Sequence, residues 1–127
     1  MAANELERRA QVLRTPEEVE AFLAAHANAA VFKAGSCHRT DRALETLAPV
    51  LGPRGDLALG LIRVVECRAA SQRLADLTGV QHQSPQLLLL RDGKTVFARD
   101  NWEISAEAVE EALKTHFDPP GRGSVAS

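Results

Sequence analysis

One cysteine stands where two contrasting patterns meet, in the stretch VFKAGSCHRTDRALETL from Val31 to Leu47. An apolar run that favours a strand precedes Cys37, and an amphipathic run that favours a helix follows it. The free N–H groups and the dipole of a helix amino end stabilise a thiolate, and cysteine pKa values there fall from about 8.5 to roughly 3.5–7.5. The alternative is an unreactive core thiol, since free cysteine is often buried. The polar sequence around Cys37 favours the reactive nucleophile.

Three neighbours of Cys37 form the predicted environment of its thiolate. Lys33 and His38 add positive charge nearby, and the small side chain of Ser36 leaves the sulfur accessible. For Lys33, a solvated charge at the end of a strand is the plainer interpretation.

A second signal is the segment GVQHQSPQ, in which Pro85 directly precedes an apolar strand. Proline cannot donate to a sheet ladder, so a proline at this position needs an explanation. A cis Ser84–Pro85 bond would turn the chain sharply and leave the backbone of Ser84 free to pair with an extended partner. Only about 5–6% of X–Pro bonds are cis, so an ordinary trans proline is the alternative unless the fold favours the cis form.

The hydrophobic pattern predicts alternating strands and helices. One helix begins with Thr15 as N-cap and Pro16 in the first turn, has Glu18 completing a capping box, and runs to about His26. The other predicted elements, in chain order, are a short helix over 6–13, a buried strand over 29–33, a helix from Cys37 to before Gly52, a strand over 57–65, a helix over 71–78 closed by Gly79, a hairpin around Asp92-Gly93 and a last helix capped by Ser105.

This element order predicts an α/β fold with a central mixed β-sheet flanked by helices. The first strands form a parallel βαβ unit, and the hairpin adds antiparallel strands. The order resembles that of the thioredoxin fold, which also favours a cis bond at Pro85. We expect a single thioredoxin-like domain over residues 1–117 and a disordered C-terminal tail over 118–127.

Composition excludes several classes of function. The chain has 127 residues, of which 45% are hydrophobic and 25% charged, and its net charge is -2. Such a chain can build one core, and its scattered basic residues make binding to nucleic acid or to an anionic membrane a poor expectation. The amino terminus MAANELERRA is too polar for a secretion signal, so we expect a cytoplasmic protein whose two cysteines are free thiols.

Three segments together resemble the monothiol bacilliredoxins, a family of YtxJ-like bacterial thiol–disulfide oxidoreductases with a thioredoxin fold. They are FKAGSCHRT, TGVQHQSPQLLLLRDGKTVF and DNWEIS. The resemblance implies attack by Cys37 on mixed disulfides between proteins and the small thiol bacillithiol, with Ser84 and the cis-proline Pro85 binding the substrate. S-bacillithiolated proteins and a low-molecular-weight thiol would be the partners, with bacillithiol as co-substrate and no bound cofactor. His82 and Trp102 match family positions to which the sequence assigns no role.

The sequence departs from the family pattern around Cys37. His38 replaces the usual proline, Ala34 and Gly35 replace a His-Ser pair, and Ser36 replaces a threonine. Thr40 stands where a dithiol thioredoxin carries its second cysteine, and its hydroxyl could bond the thiolate and lower the pKa of Cys37 further.

Other hypotheses remain open. Cys67 follows a predicted strand and should lie at the same edge of the sheet as Cys37. It could be a resolving or accessory thiol, although an ordinary loop residue is the more common case. For Trp102, we expect packing against the core rather than a substrate surface. The spacing of the cysteines and histidines lacks a metal-binding motif, so no metal site is predicted.

Two other classes of function compete with the bacilliredoxin prediction. One is a non-catalytic redox sensor or protein-interaction module with a thioredoxin fold. The other is a glutaredoxin-like or dithiol oxidoreductase that uses both Cys37 and Cys67.

Overall fold

A five-stranded mixed sheet forms the centre of the fold. The computed structural model describes residues 2–36 and 38–118; Met1, Cys37 and residues 119–127 lie outside them. The strand order is β1-β3-β2-β4-β5; β1 and β2 run parallel to β3, and β4 runs antiparallel to both β2 and β5. The elements are α1 (Ala2–Arg9), β1 (Gln11–Val12), α2 (Pro16–Ala25), β2 (Asn28–Ala34), α3 (His38–Leu51), β3 (Ala58–Arg63), α4 (Arg68–Thr78), β4 (Gln86–Arg91), β5 (Lys94–Asp100), a 3₁₀ turn (Asn101–Glu103) and α5 (Ala106–His116).

The predicted fold class is confirmed, and most predicted turns and caps are present. Thr15 Oγ1 accepts the N–H of Glu18 at 3.1 Å, as a capping box requires. The Glu18 carboxylate, however, reaches the N–H of Arg14 at 2.7 Å instead of that of Thr15. In the hairpin, Asp92 and Gly93 both have positive φ, which is the geometry of the two-residue turn predicted there.

The predicted helix over 6–13 is wrong in its second half. Helix α1 ends at Arg9, and Gln11 and Val12 form an edge strand opposite Gly60 and Leu61 of β3. Leu13 follows with its N–H bonded to the carbonyl of Leu61, and its side chain is fully buried. Long-range pairing and burial override the local helical preference here, and no signal within the segment itself reveals them.

Two hydrophobic cores lie on opposite faces of the sheet. Helices α1, α3 and α5 cover one face with residues such as Leu44, Leu47 and Val109, against Phe32 of β2. Helices α2 and α4 cover the other face, where β2 contributes Ala29 and Val31. Because successive side chains of a strand alternate between faces, Lys33 points to the side of α2 and α4.

The first residue of the predicted tail belongs to the folded structure. Asp118 forms an ion pair with Arg54 at 2.8 Å, and its N–H is bonded to the carbonyl of Leu113. The rest of that prediction, residues 119–127, lies outside the described residues.

Candidate active site at the carboxyl edge of the sheet

The end of β2 is tied to the first turn of α3. The N–H of Gly35 donates to Thr40 Oγ1 at 2.9 Å, and the Thr40 side chain is buried. Helix α3 begins at His38, so Cys37 directly precedes the helix in the chain, as the sequence predicts; its own placement lies outside the described residues. Ser36 and His38, on either side of it, are exposed. The effect of these residues on the Cys37 thiolate stays a prediction.

The segment before β4 also lies close to the end of β2. Ser84–Pro85 is a cis peptide bond. A Cβ atom built on Gly35 would lie 2.9 Å from Ser84 Oγ and 3.4 Å from Thr40 Oγ1, so Ser84, Thr40 and Gly35 meet with no room for a side chain at Gly35. The carbonyl of Pro85 accepts the N–H of Asn101 at 3.0 Å, which brings the turn after β5 to this place as well.

Lys33 differs from its predicted state as a solvated strand-end charge. Its side chain is 0% exposed, and its Nζ atom donates to the carbonyl of Ser71 at 3.1 Å and contacts His82 Nδ1 at 3.3 Å. Burial lowers the pKa of Lys33 from 10.5 to about 8. The solvated interpretation is therefore wrong, because a strand inside the sheet carries this lysine between two covering helices.

The imidazole of His82 makes two polar contacts through the same ring nitrogen, Nδ1. Ser71 Oγ lies 2.9 Å from Nδ1, in addition to Lys33 Nζ. Burial of the imidazole and, as the smaller cause, the positive charge of Lys33 lower the pKa of His82 below its ordinary value of 6.5. An ammonium group only donates, so Nδ1 accepts and the neutral ring carries its proton on Nε2.

This depressed pKa predicts a loss of stability in acid. As the pH falls through about 6.5, His82 of the unfolded chain gains a proton before His82 of the folded chain, so the free energy of unfolding decreases until the folded-state pKa is passed. We expect His82→Asn, which cannot titrate, to lose less stability than wild type between about pH 7 and pH 5 in urea unfolding. Gln83→Asn, a neutral change in the same segment, should keep the wild-type pH dependence, and equal slopes for His82→Asn and wild type would contradict the assignment.

The prediction that Trp102 packs against the core is wrong. The residue is 70% exposed in the turn that follows β5, and the guanidinium of Arg42 from α3 lies 6.0 Å from its ring centroid. Val65, which follows β3, is 56% exposed. Both stand at the edge of the sheet where β2 ends, because β2, β3 and β5 share one direction.

Cys67 also lies at this edge, as predicted. It is the N-cap residue of α4, is half-buried, and packs against the core under α2 and α4. Within residues 2–36 and 38–118, no group of three or more His, Cys, Asp or Glu side chains is arranged to hold a metal ion. None of the helices in those ranges has the length and apolar character needed to cross a bilayer.

Two polar residues of this region were not predicted from the sequence. Ser71 appeared only as the expected start of a helix, and Gln86 only as the residue after Pro85, yet both are buried polar groups. Ser71 contacts Lys33 and His82, and Gln86 lies opposite Lys33 in the sheet and donates to the carbonyl of Gln81. A lysine within an apolar strand was the available signal, since a buried cation needs polar partners on the facing elements.

Comparison with known proteins identifies the family. A family model described as monothiol bacilliredoxin BrxC matches residues 11–109. The chain belongs to this family. The resemblance noted in the sequence is thereby confirmed over most of the chain, from β1 to α5. No curated protein matches the chain significantly.

Solved structures agree with the thioredoxin fold of the family. A thioredoxin-fold protein that carries a provisional oxidoreductase assignment superposes with a TM-score of 0.75 at 24% identity, covering 84% of this chain and 96% of that one. Mitochondrial thioredoxin 3 from Saccharomyces cerevisiae gives 0.70 at 12% identity, with 87% and 98% covered. Plasmodium falciparum thioredoxin gives 0.68 at 9% identity, with 84% and 99% covered. At these identities the likeness shows the fold.

Proposed function

We propose that this chain is a monothiol oxidoreductase that removes bacillithiol from protein mixed disulfides, with Cys37 as the nucleophile. The observation that carries the proposal is the meeting of Gly35 and Ser84, which brings the cis Ser84–Pro85 bond to the end of β2, two residues before Cys37 in sequence. Membership of the bacilliredoxin family supplies the class of substrate.

The reaction is two successive thiol–disulfide exchanges. The Cys37 thiolate attacks the bacillithiol sulfur of a protein mixed disulfide; the protein sulfur leaves as a thiolate and takes up a proton, while Cys37 becomes joined to bacillithiol. A second low-molecular-weight thiolate then attacks the bacillithiol sulfur on Cys37. A disulfide of two small thiols leaves, and the Cys37 thiolate is restored. One free small thiol is thus consumed for each protein thiol that is regenerated, and it leaves in a disulfide with the transferred bacillithiol.

The surface around the candidate site supports a protein as the partner. Of the three large hydrophobic side chains that are exposed in the described ranges, Val65 and Trp102 stand at this edge. Aromatic side chains in such positions are frequent anchors of protein interfaces. The backbone of Ser84, beside the cis bond, is the group proposed to pair with the extended substrate chain.

The test uses a purified protein carrying one bacillithiol mixed disulfide and intact-mass detection. We expect the wild-type chain to regenerate the free protein thiol and to acquire the mass of one bacillithiol on Cys37. The Cys67→Ala variant should do the same at a similar rate, which separates the monothiol mechanism from a dithiol one. A stable complex with the substrate and no release of thiol would replace the proposal by a binding module. Equal turnover with a glutathionylated substrate would remove the specificity for bacillithiol.

A further inference from the structure

Lys33, Ser71, His82 and Gln86 form a small polar cluster, in which Ser71 and His82 hold the buried ammonium of Lys33. Lys33 and Gln86 are directly opposite each other in the antiparallel pairing of β2 with β4, so their side chains emerge on the same face of the sheet. Both side chains are almost completely buried. Within the described ranges, Lys33 makes no ion pair, and its two polar contacts are the carbonyl of Ser71 and Nδ1 of His82. An ammonium group in such a place is costly unless its acceptors stay in position.

The segment from Val80 to Ser84 depends on this cluster because it has little structure of its own. None of its residues lies in a helix or a strand, and none forms a backbone–backbone hydrogen bond with another part of the described chain. The segment is attached by side chains instead. The imidazole of His82 binds Lys33 and Ser71, and the carbonyl of Gln81 accepts from Gln86 Nε2 at 3.1 Å.

His82 connects the buried ammonium of Lys33 with the exposed segment that precedes Ser84. Its ring is exposed overall, yet Nδ1 faces inward and contacts Lys33 Nζ from β2 and Ser71 Oγ from α4. Ser84 follows two residues later in the chain and reaches the position of Gly35. Because β2 and α4 both hold the His82 ring, the ring restricts the backbone conformation of the residues that lead to the cis Ser84–Pro85 bond.

We infer that Lys33 is a positioning residue, whose ammonium acts through His82 Nδ1 to fix the segment that presents Ser84 and Pro85 to the substrate. This inference rests on the proposed function. It assigns Lys33 a role different from tuning the thiolate: its charge orders the surface that receives the substrate chain. His82, to which the sequence assigned no role, becomes the acceptor through which Lys33 acts.

The experiment compares four variants by ¹⁵N relaxation and by kinetics. Lys33→Met removes the donors and keeps the length of the side chain, and His82→Leu removes the acceptor on an exposed residue and so spares the core. His82→Asn keeps an acceptor where Nδ1 lies, and Gln83→Ala is the control within the same segment. In Lys33→Met and His82→Leu, we expect the amide order parameters of Gln81 to Ser84 to fall from about 0.85 to below about 0.6. They should stay near wild type in His82→Asn and Gln83→Ala.

Kinetics give a second, independent measurement. In the two disruptive variants, KM for the protein mixed disulfide should rise roughly tenfold, which corresponds to about 1.4 kcal/mol of lost binding. The rate at which a small reagent alkylates Cys37 should stay within about twofold of wild type. Wild-type order parameters in both disruptive variants would overturn the inference, and so would a slower alkylation of Cys37 with unchanged KM. If the wild-type chain fails to reduce mixed disulfides, the proposed function fails, while the order parameters still decide the role of Lys33.

Discussion

Replacing Cys37 by serine is expected to lower the rate of bacillithiol removal by a factor on the order of 10³ or more, to the uncatalysed background. A serine hydroxyl is not ionised at neutral pH and forms no mixed disulfide. Cys37 directly precedes His38, the first residue of α3, and such a position lowers thiol pKa values in proteins generally. The measurement is the release of free protein thiol from a bacillithiolated substrate, together with the mass of the chain after the reaction.

Cys67→Ser is the matched control for this change. Cys67 is half-buried as the N-cap of α4, and its own side chain makes no capping hydrogen bond there, so serine should be accommodated at that position. We expect the variant to keep most of the activity. If Cys67→Ser lost activity to the same extent as Cys37→Ser, a dithiol mechanism would replace the monothiol one. Residual turnover by Cys37→Ser would assign the nucleophile elsewhere.

Gly35→Val is expected to lower kcat/KM for protein mixed disulfides by about 10- to 100-fold. Its Cβ atom alone would stand 2.9 Å from Ser84 Oγ and 3.4 Å from Thr40 Oγ1, and the two methyl groups need further space. Ser84 Cβ stands 3.5 Å from the same point, so rotation of the Ser84 hydroxyl alone does not make room for both methyl groups. We therefore expect the Ser84–Pro85 segment to move away from the end of β2, and a displacement of about 1 Å can cost about 100-fold in a reaction that depends on alignment. Overpacking should also lower the free energy of unfolding by about 1–3 kcal/mol.

Gly55→Val serves as the control for Gly35→Val. A Cβ atom at Gly55 would meet nothing within 4 Å, and the residue lies in the turn before β3, at the opposite edge of the sheet. We expect wild-type kcat/KM for this variant. The comparison requires steady-state kinetics and urea unfolding of both proteins. Wild-type kinetics for Gly35→Val would show that the close approach of Ser84 to Gly35 is not needed for the reaction.

Sequence signals within the individual helices and strands were sufficient to predict most of the fold. Thr15 and Ser105 cap the helices they were expected to cap, and Gly79 adopts the left-handed conformation that closes α4. The edge strand β1 was missed because two residues carry no periodicity, and its existence depends on a vacant edge of β3. Helix α4 begins at Arg68, three residues earlier than expected, because the only apolar residues of its first turn are alanines, whose small side chains give a weak hydrophobic signal even though Ala70 is buried.

The candidate site was predictable where it depends on sequence neighbours. Cys37 at the junction and the cis bond at Pro85 followed from local pattern and element order, and the structure contains that cis bond. Lys33 and Trp102 were misjudged because side-chain exposure is decided by distant elements. α4 covers the lysine, whereas nothing in the described ranges covers the tryptophan sufficiently to bury it. The apolar strand around Lys33 was a signal of its burial, but the elements that cover it are distant in sequence.

The ion pair between Asp118 and Arg54 has a practical consequence for assays on surfaces. Arg54 lies in the turn that leads into β3, so Asp118 is fixed at the amino end of that strand. Ser84 and Pro85 lie at the other edge, where β2 ends. A fluorescent label or surface attachment placed beside Asp118, at the end of α5, therefore lies on the far side of the sheet from Ser84 and Pro85. Immobilisation through that position should leave the candidate site facing the solution and accessible to protein substrates.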